Sequence, residues 1–328
     1  MPLFSNCEVK ILLPFFIALS VLLIFLTAAI LLITRWAFRQ AFAPPRGLDP
    51  LALPEGEQYE RQRPRMESLI AEMAAIPYEE IRIRGRDGTP LFARYYHVRD
   101  GAPLQIQVHG YHGSAIRDFC GGNKLAREAG HNTLIIDQRA HGESGGRAVT
   151  FGIRERYDCL DWIEEVNRRF SPPAIILSGV SMGAATVLMA ASLSLPSNVR
   201  GIIADCPYSS PGAIIAKVCG EMGFPPRLTM PFVRLGGLLW GNFDLCSASP
   251  RESVMQAQIP ILIIHGEDDR FVPCAMSREI ARCAGTYCHL ETFPNAGHGL
   301  SFIEDFPRYA AAVEKFLTDC GVEVAKTQ

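Results

Sequence analysis

The sequence has no Cys-x-x-Cys pair, no Gly-x-x-x-x-Gly-Lys phosphate loop and no Gly-x-Gly-x-x-Gly motif after a strand. These absences remove the usual sequence signs of a structural zinc site, a nucleoside triphosphate cradle and a dinucleotide fold. The closest of the ten cysteines, Cys283 and Cys288, have no matching histidine pair, so the set reads as reduced, mostly structural thiols. The net charge is only −2 and no long charge run interrupts the chain, which leaves no electrostatic footprint for nucleic acid. No internal repeat is visible, and neither a metal nor a cofactor is expected.

What is present begins with a turn. Gly179-Val180-Ser181-Met182-Gly183 follows the apolar run Ala174-Ile175-Ile176-Leu177 and precedes a helix-prone stretch, the strand–turn–helix setting of a G-x-S-x-G nucleophile elbow. Small neighbours let strand and helix pass closely while the serine stays at a strained turn. A serine hydroxyl needs a base, and that base needs a third group to fix its tautomer. Ile259-Pro260-Ile261-Leu262-Ile263-Ile264 reads as a buried strand leading into His265-Gly266-Glu267-Asp268-Asp269, at the end of the strand where open α/β sheets carry their sites. Further on, Pro294-Asn295-Ala296-Gly297-His298-Gly299 is a loop with a histidine between glycines. The order Ser, Asp, His is the one this architecture uses.

Elsewhere the pattern alternates. Strands are expected at residues 104–108, 133–137, 174–178, 201–205, 259–264 and 287–293, with helices near 115–129, 153–169, 182–192, 275–284 and 302–317. An antiparallel hairpin, with a turn at Arg86-Asp87-Gly88-Thr89, precedes them. This predicts an α/β fold with a mostly parallel, doubly wound sheet.

His109-Gly110-Tyr111-His112-Gly113-Ser114, Asp137-Gln138-Arg139-Ala140-His141-Gly142-Glu143-Ser144, the elbow, His265-Gly266 with Asp269 and Val272-Pro273, and Gly297-His298-Gly299 together resemble an α/β-hydrolase. More narrowly, the chain resembles the membrane-associated bacterial serine hydrolases of the serine-aminopeptidase-like group. The resemblance covers residues 81 to the C-terminus. It implies Ser181 as nucleophile, His298 as general base and Asp269 as acid. Asp268 competes for that last role, but Asp269 stands three residues before Val272-Pro273, where the family's acid stands. The amides of Tyr111 and Met182 are the expected oxyanion donors. His112 is expected to be satisfied by backbone, and His141 and Glu143 to be scaffolding.

Residues 207–258 interrupt the alternation and form the expected helical lid. Met222, Phe224 and Trp240 in this lid are the candidate substrate-binding residues, since an apolar lid would shelter an acyl chain; the reading in which they only pack the lid onto the sheet stays open. At the front, residues 11–33 carry no charge and would extend about 35 Å as a helix at ~1.5 Å per residue, enough to cross a bilayer. Pro14 is tolerable in a first turn. An apolar run this long favours an uncleaved anchor over a signal peptide. Arg35, Arg39 and Arg46 after the run outweigh Lys10 before it, which puts the catalytic domain in the cytoplasm, although a first span with a short tail can insert either way round.

The expected organisation is a tail 1–10, an anchor 11–33, a linker and helix 34–78 made of a proline-rich spacer and a helix over 58–75 that Pro64 either breaks or starts, a hydrolase domain 79–320 with the lid 207–258, and a tail 321–328. The expected function is a membrane-anchored serine hydrolase cleaving a carboxylic ester on a small-molecule acyl substrate. The alternatives are a serine peptidase, for which Glu221 or Asp244 would have to hold an amine, a thioesterase or acyltransferase, and a non-catalytic membrane-tethered binding module. No feature points to a protein partner.

Overall fold

The structure, a computed structural model, describes residues 6–44, 47 and 49–325. Of the expected tails and spacer, residues 1–5 and 326–328, together with Pro45, Arg46 and Leu48, lie outside the described residues.

The strands are β1 (Glu79–Arg84), β2 (Pro90–Tyr96), β3 (Leu104–Val108), β4 (Asn132–Asp137), β5 (Ile175–Val180), β6 (Val199–Asp205), β7 (Ile261–Gly266) and β8 (Cys288–Phe293). They form one sheet in the order β1-β2-β4-β3-β5-β6-β7-β8. β1 pairs with β2 and β2 with β4 antiparallel; every later pair is parallel. The expected hairpin and parallel sheet are both there.

The helices are α1 (Asn6–Phe42), α2 (Glu57–Glu60), α3 (Arg63–Ala74), α4 (Ala115–Glu128), α5 (Glu155–Phe170), α6 (Met182–Ala190), α7 (Pro211–Glu221), α8 (Pro226–Gly236), α9 (Pro250–Ser253), α10 (Cys274–Ala284), α11 (Ser301–Glu304) and α12 (Phe306–Asp319). Two expected helices are split. Pro64 starts a new helix rather than interrupting one, because its missing N–H costs nothing in a first turn. Asp305 divides the last helix, its side chain accepting from the Arg308 amide to cap α12.

Strand residues alternate between two cores, which is why the central strands read as continuous apolar runs. Ile175, Leu177, Ile261 and Ile263 face one side with Trp162, Val187 and Leu188. Ile176, Leu262 and Ile264 face the other with Phe293, Tyr309 and Phe316. Each such fully buried side chain contributes roughly 1.5–3 kcal/mol. The loops that carry Tyr111, Ser181, Asp269 and His298 leave the C-terminal ends of β3, β5, β7 and β8, so the sheet gathers them at one rim.

α1 departs from expectation. Its apolar segment is long enough to cross a bilayer, but the helix does not end at residue 33; it continues to Phe42, and Pro14 lies inside it rather than in its first turn. The added turns are held by tertiary packing: Ala37, Phe38 and Phe42 are buried against Phe151, Val233 and Phe243 of the body. The expected lid segment, 207–258, holds α7, α8, a π-helical turn at Gly237–Gly241 and α9.

Candidate active site

Ser181 stands between β5 and α6 with φ 55 and ψ −115, a left-handed backbone that a serine adopts only under constraint. Its amide donates to the Asp205 carbonyl at 2.8 Å and its carbonyl accepts from Ala185 at 3.0 Å, which pins the turn. The motif glycines are steric necessities. A Cβ on Gly183 would stand 1.8 Å from the Val108 carbonyl oxygen, and one on Gly179 would stand 2.3 Å from the Gly183 oxygen.

His298 Nε2 lies 2.9 Å from Ser181 Oγ, and His298 Nδ1 lies 2.6 Å from Asp269 Oδ2. The carboxylate can only accept, so Nδ1 carries the proton and Nε2 is left to accept from the serine hydroxyl. Asp269 Oδ1 accepts from the amides of Phe271 and Val272 at 2.9 and 2.8 Å. Burial pushes the Asp269 carboxyl up, but hydrogen bonds from His265 and His298 outweigh it and hold the group well below the usual carboxylate range. Asp268, the competing acid, is exposed and lies outside this chain of bonds.

Further residues brace this chain of bonds. His265 is fully buried beside Asp269, its Nε2 3.3 Å from Oδ2 and 2.8 Å from the Val272 carbonyl, while Ser277 bonds its other nitrogen at 2.6 Å. Gln58 on α2 accepts the His298 amide at 3.2 Å. Phe271 packs edge-on against the His298 ring at 5.1 Å. The histidine was legible as part of a motif; Gln58 and Phe271 left no sequence signal, because their role depends on where α2 and the loop after β7 are folded back.

The Gly110-Tyr111 loop after β3 passes directly over the serine: a Cβ on Gly110 would stand 3.3 Å from Ser181 Cβ. Asp118 accepts the Gly110 amide at 2.8 Å, and the His112 amide donates to His141 Nε2 at 3.2 Å. Burial pulls His141 down to about 3, which keeps it neutral and able to accept there. Glu143 pairs with Arg82 at the surface. Among the described residues, neither the Tyr111 nor the Met182 amide donates a hydrogen bond, and Met182 begins α6, whose N-terminus carries partial positive charge.

Two cavities meet at Ser181. One, of about 270 Å³, is lined by Trp36, Ala37, Ala41, Ile215, Met222 and Phe224. The other, of about 330 Å³, is more polar and includes Gln58, Tyr59, Arg117, Asp118 and His298. Met222 and Phe224 line the apolar cavity that reaches Ser181. Trp240 does not: its indole donates to Thr34 Oγ1 at 3.2 Å and Arg35 lies over its ring at 5.1 Å, which turns it against α1. Cys206, Asp269 and His298 bring donor atoms within 4.8 Å of one another, but His298 is bonded to Ser181 and Asp269 to His298, so a thiophilic ion there would displace that chain.

A family profile described as the alpha/beta hydrolase fold matches residues 106–224. The chain is an α/β-hydrolase-fold protein. The chain is 27% identical to YqkD of Bacillus subtilis over 195 residues, which are 59% of this chain and 64% of that protein. It is 24% identical to the lysophosphatidylserine lipase ABHD12 of Danio rerio over 214 residues, 61% of this chain and 51% of that one. The alignments thus span less than two thirds of these relatives. Among solved structures, the Pyrococcus furiosus esterase Pf2001 shares the fold with a TM-score of 0.60 at 20% identity, covering 84% of this chain and 97% of that one.

Proposed function

We propose that the protein is a membrane-anchored serine hydrolase that cleaves a carboxylic ester through an acyl-enzyme. The observation that carries this reading is the hydrogen-bonded chain from Ser181 Oγ through His298 to Asp269. In the first half-reaction Ser181 Oγ attacks the carbonyl carbon and its proton passes to His298 Nε2. The Tyr111 and Met182 amides hold the oxygen that becomes negative, and Asp269 stabilises the imidazolium. Collapse expels the alcohol, which leaves with the proton from His298. Water then attacks the acyl-enzyme, giving its proton to His298, and the acid departs as Ser181 recovers its own.

An ester asks least of this site, because its alcohol leaves more readily than an amine. A peptidase would need a carboxylate to hold the substrate amine. The lid carboxylates do not offer one: Glu221 pairs with Lys217 at 2.6 Å and Asp244 with Arg234 at 3.0 Å, and neither lines the cavities at Ser181. Esterase and lipase relatives support the hydrolytic reading, while a thioester would pass through the same steps. A strained Ser181 with its base in reach weighs against a non-catalytic tether, which has no use for stored strain.

The exposed apolar length of α1 supports the anchor, and Arg35 and Arg39 after it favour a cytoplasmic catalytic domain. Hydrolysis of a short-chain nitrophenyl ester by the full-length protein in detergent tests the proposal. Turnover lost in both Ser181→Ala and His298→Ala supports it; turnover equal to wild type in either variant refutes it.

A further inference from the structure

Helix α1 is read above as an anchor, yet its last turns stand in the wall of the catalytic cavity. Ile33, Trp36, Ala37, Gln40 and Ala41 line the apolar cavity that ends at Ser181. Residues 33 to 41 extend about 12 Å at ~1.5 Å per residue. N-terminal to them the side chains from Leu13 to Leu32 stand free of the body, in a segment of mean hydropathy 3.0. The cavity wall and the candidate bilayer span are therefore one unbroken helix.

The lid elements that touch this helix leave large apolar side chains uncovered. Met222 is 61% exposed, and Phe224, Leu239 and Trp240 are exposed as well. A lid lying in water gains nothing from such a surface. Trp36 packs edge-on against Phe224 at 5.7 Å, and Arg35 covers Trp240 at 5.1 Å. Tryptophan and arginine just past the end of an apolar span are the side chains that settle at a membrane–water interface. Gly236 fixes the lid to the helix, because a Cβ there would stand 2.7 Å from the Thr34 carbonyl oxygen.

We propose that α1 is part of the acyl-binding site, that the exposed edge of the lid rests on the bilayer this helix enters, and that the substrate is a long-chain acyl ester drawn from that leaflet. The proposal rests on the serine hydrolase reading and gives its substrate class. The acyl chain passes along Trp36 and Ala41 to Ser181, and the polar part of the ester occupies the wetter cavity beside Arg117. Continuity with the span decides the occupant of the apolar face.

The test uses the full chain reconstituted in phosphatidylcholine vesicles, with nitrophenyl esters from acetate to palmitate. Ala41→Phe narrows the cavity and is expected to lower the palmitate-to-acetate ratio of turnover by roughly tenfold or more. Trp36→Ala widens it and moves the preferred chain length upward. An identical chain-length profile in wild type and both variants overturns the proposal. Quenching by brominated phosphatidylcholine provides a measurement independent of turnover. In Trp36→Phe the remaining indoles are Trp240 and the fully buried Trp162. Marked quenching is expected from Trp240, and its absence overturns the placement of the lid. Failure of the underlying reading looks different: no ester of any length would then be cleaved in a Ser181-dependent way.

Discussion

Gln58 Oε1 accepts the backbone amide of His298 at 3.2 Å, so a residue that precedes the whole sheet holds the loop that carries the imidazole facing Ser181. α2 has only one turn and owes its position to Tyr59, which is buried among Phe293, Leu300 and Phe302. Gln58→Ala should lower kcat by roughly fivefold to tenfold, the equivalent of one hydrogen bond of about 1 kcal/mol, with KM little changed. Steady-state kinetics on a soluble ester reads this split. A change confined to KM would mean that Gln58 touches substrate instead.

The two adjacent aspartates separate cleanly. Asp269→Asn keeps an acceptor for the Phe271 and Val272 amides but loses the charge that fixes the His298 tautomer, and kcat should fall by about 10⁴. Asp268→Asn alters an exposed side chain and should leave kcat within a factor of about two. Comparable losses in the two variants would contradict the assignment.

The elbow glycine can be tested by stability alone. Gly183→Ala forces a methyl into the Val108 carbonyl and should cost roughly 3 kcal/mol or more, or prevent folding. Chemical denaturation, or expression where no folded protein is recovered, reports it. A midpoint equal to that of wild type would mean that α6 does not pass β3 so closely.

Asp205 gives the protein a pH dependence. It is fully buried and accepts from Tyr309 at 3.0 Å; burial pushes its carboxyl up from 3.8 to about 6, against the smaller opposing pull of the Tyr309 hydroxyl and nearby histidines. A carboxyl raised in the folded state contributes stability that is complete below pH 3.8 and is lost as pH rises through about 6. Its share of that loss is on the order of 3 kcal/mol. Asp205→Asn keeps the acceptor for Tyr309 and should flatten this limb of the stability curve. Denaturation midpoints across that pH range in both proteins check it, and parallel curves would contradict it.

The fold and the local pieces of the site were legible because each is written in contiguous residues. Apolar strands with facing cores give runs such as Ile261 to Ile264, and a strained turn between strand and helix demands Gly179 and Gly183 on either side of Ser181. What was not legible is what tertiary packing decides. No local pattern carries α1 past residue 33, since Thr34 to Phe42 reads as a polar-spotted linker until the lid covers Phe38 and Phe42. Trp240 looked like a cavity residue by composition, but Thr34 and Arg35 draw it to the helix. Gln58, Phe271 and the buried environment of Asp205 depend on chain segments brought together across the fold.

Covalent labelling tests the central claim most directly. The full-length protein, treated with a fluorophosphonate and mapped by peptide mass spectrometry, should carry one adduct, on Ser181, and Ser181→Ala should carry none. An adduct on another residue, or equal labelling of the two proteins, would contradict the account.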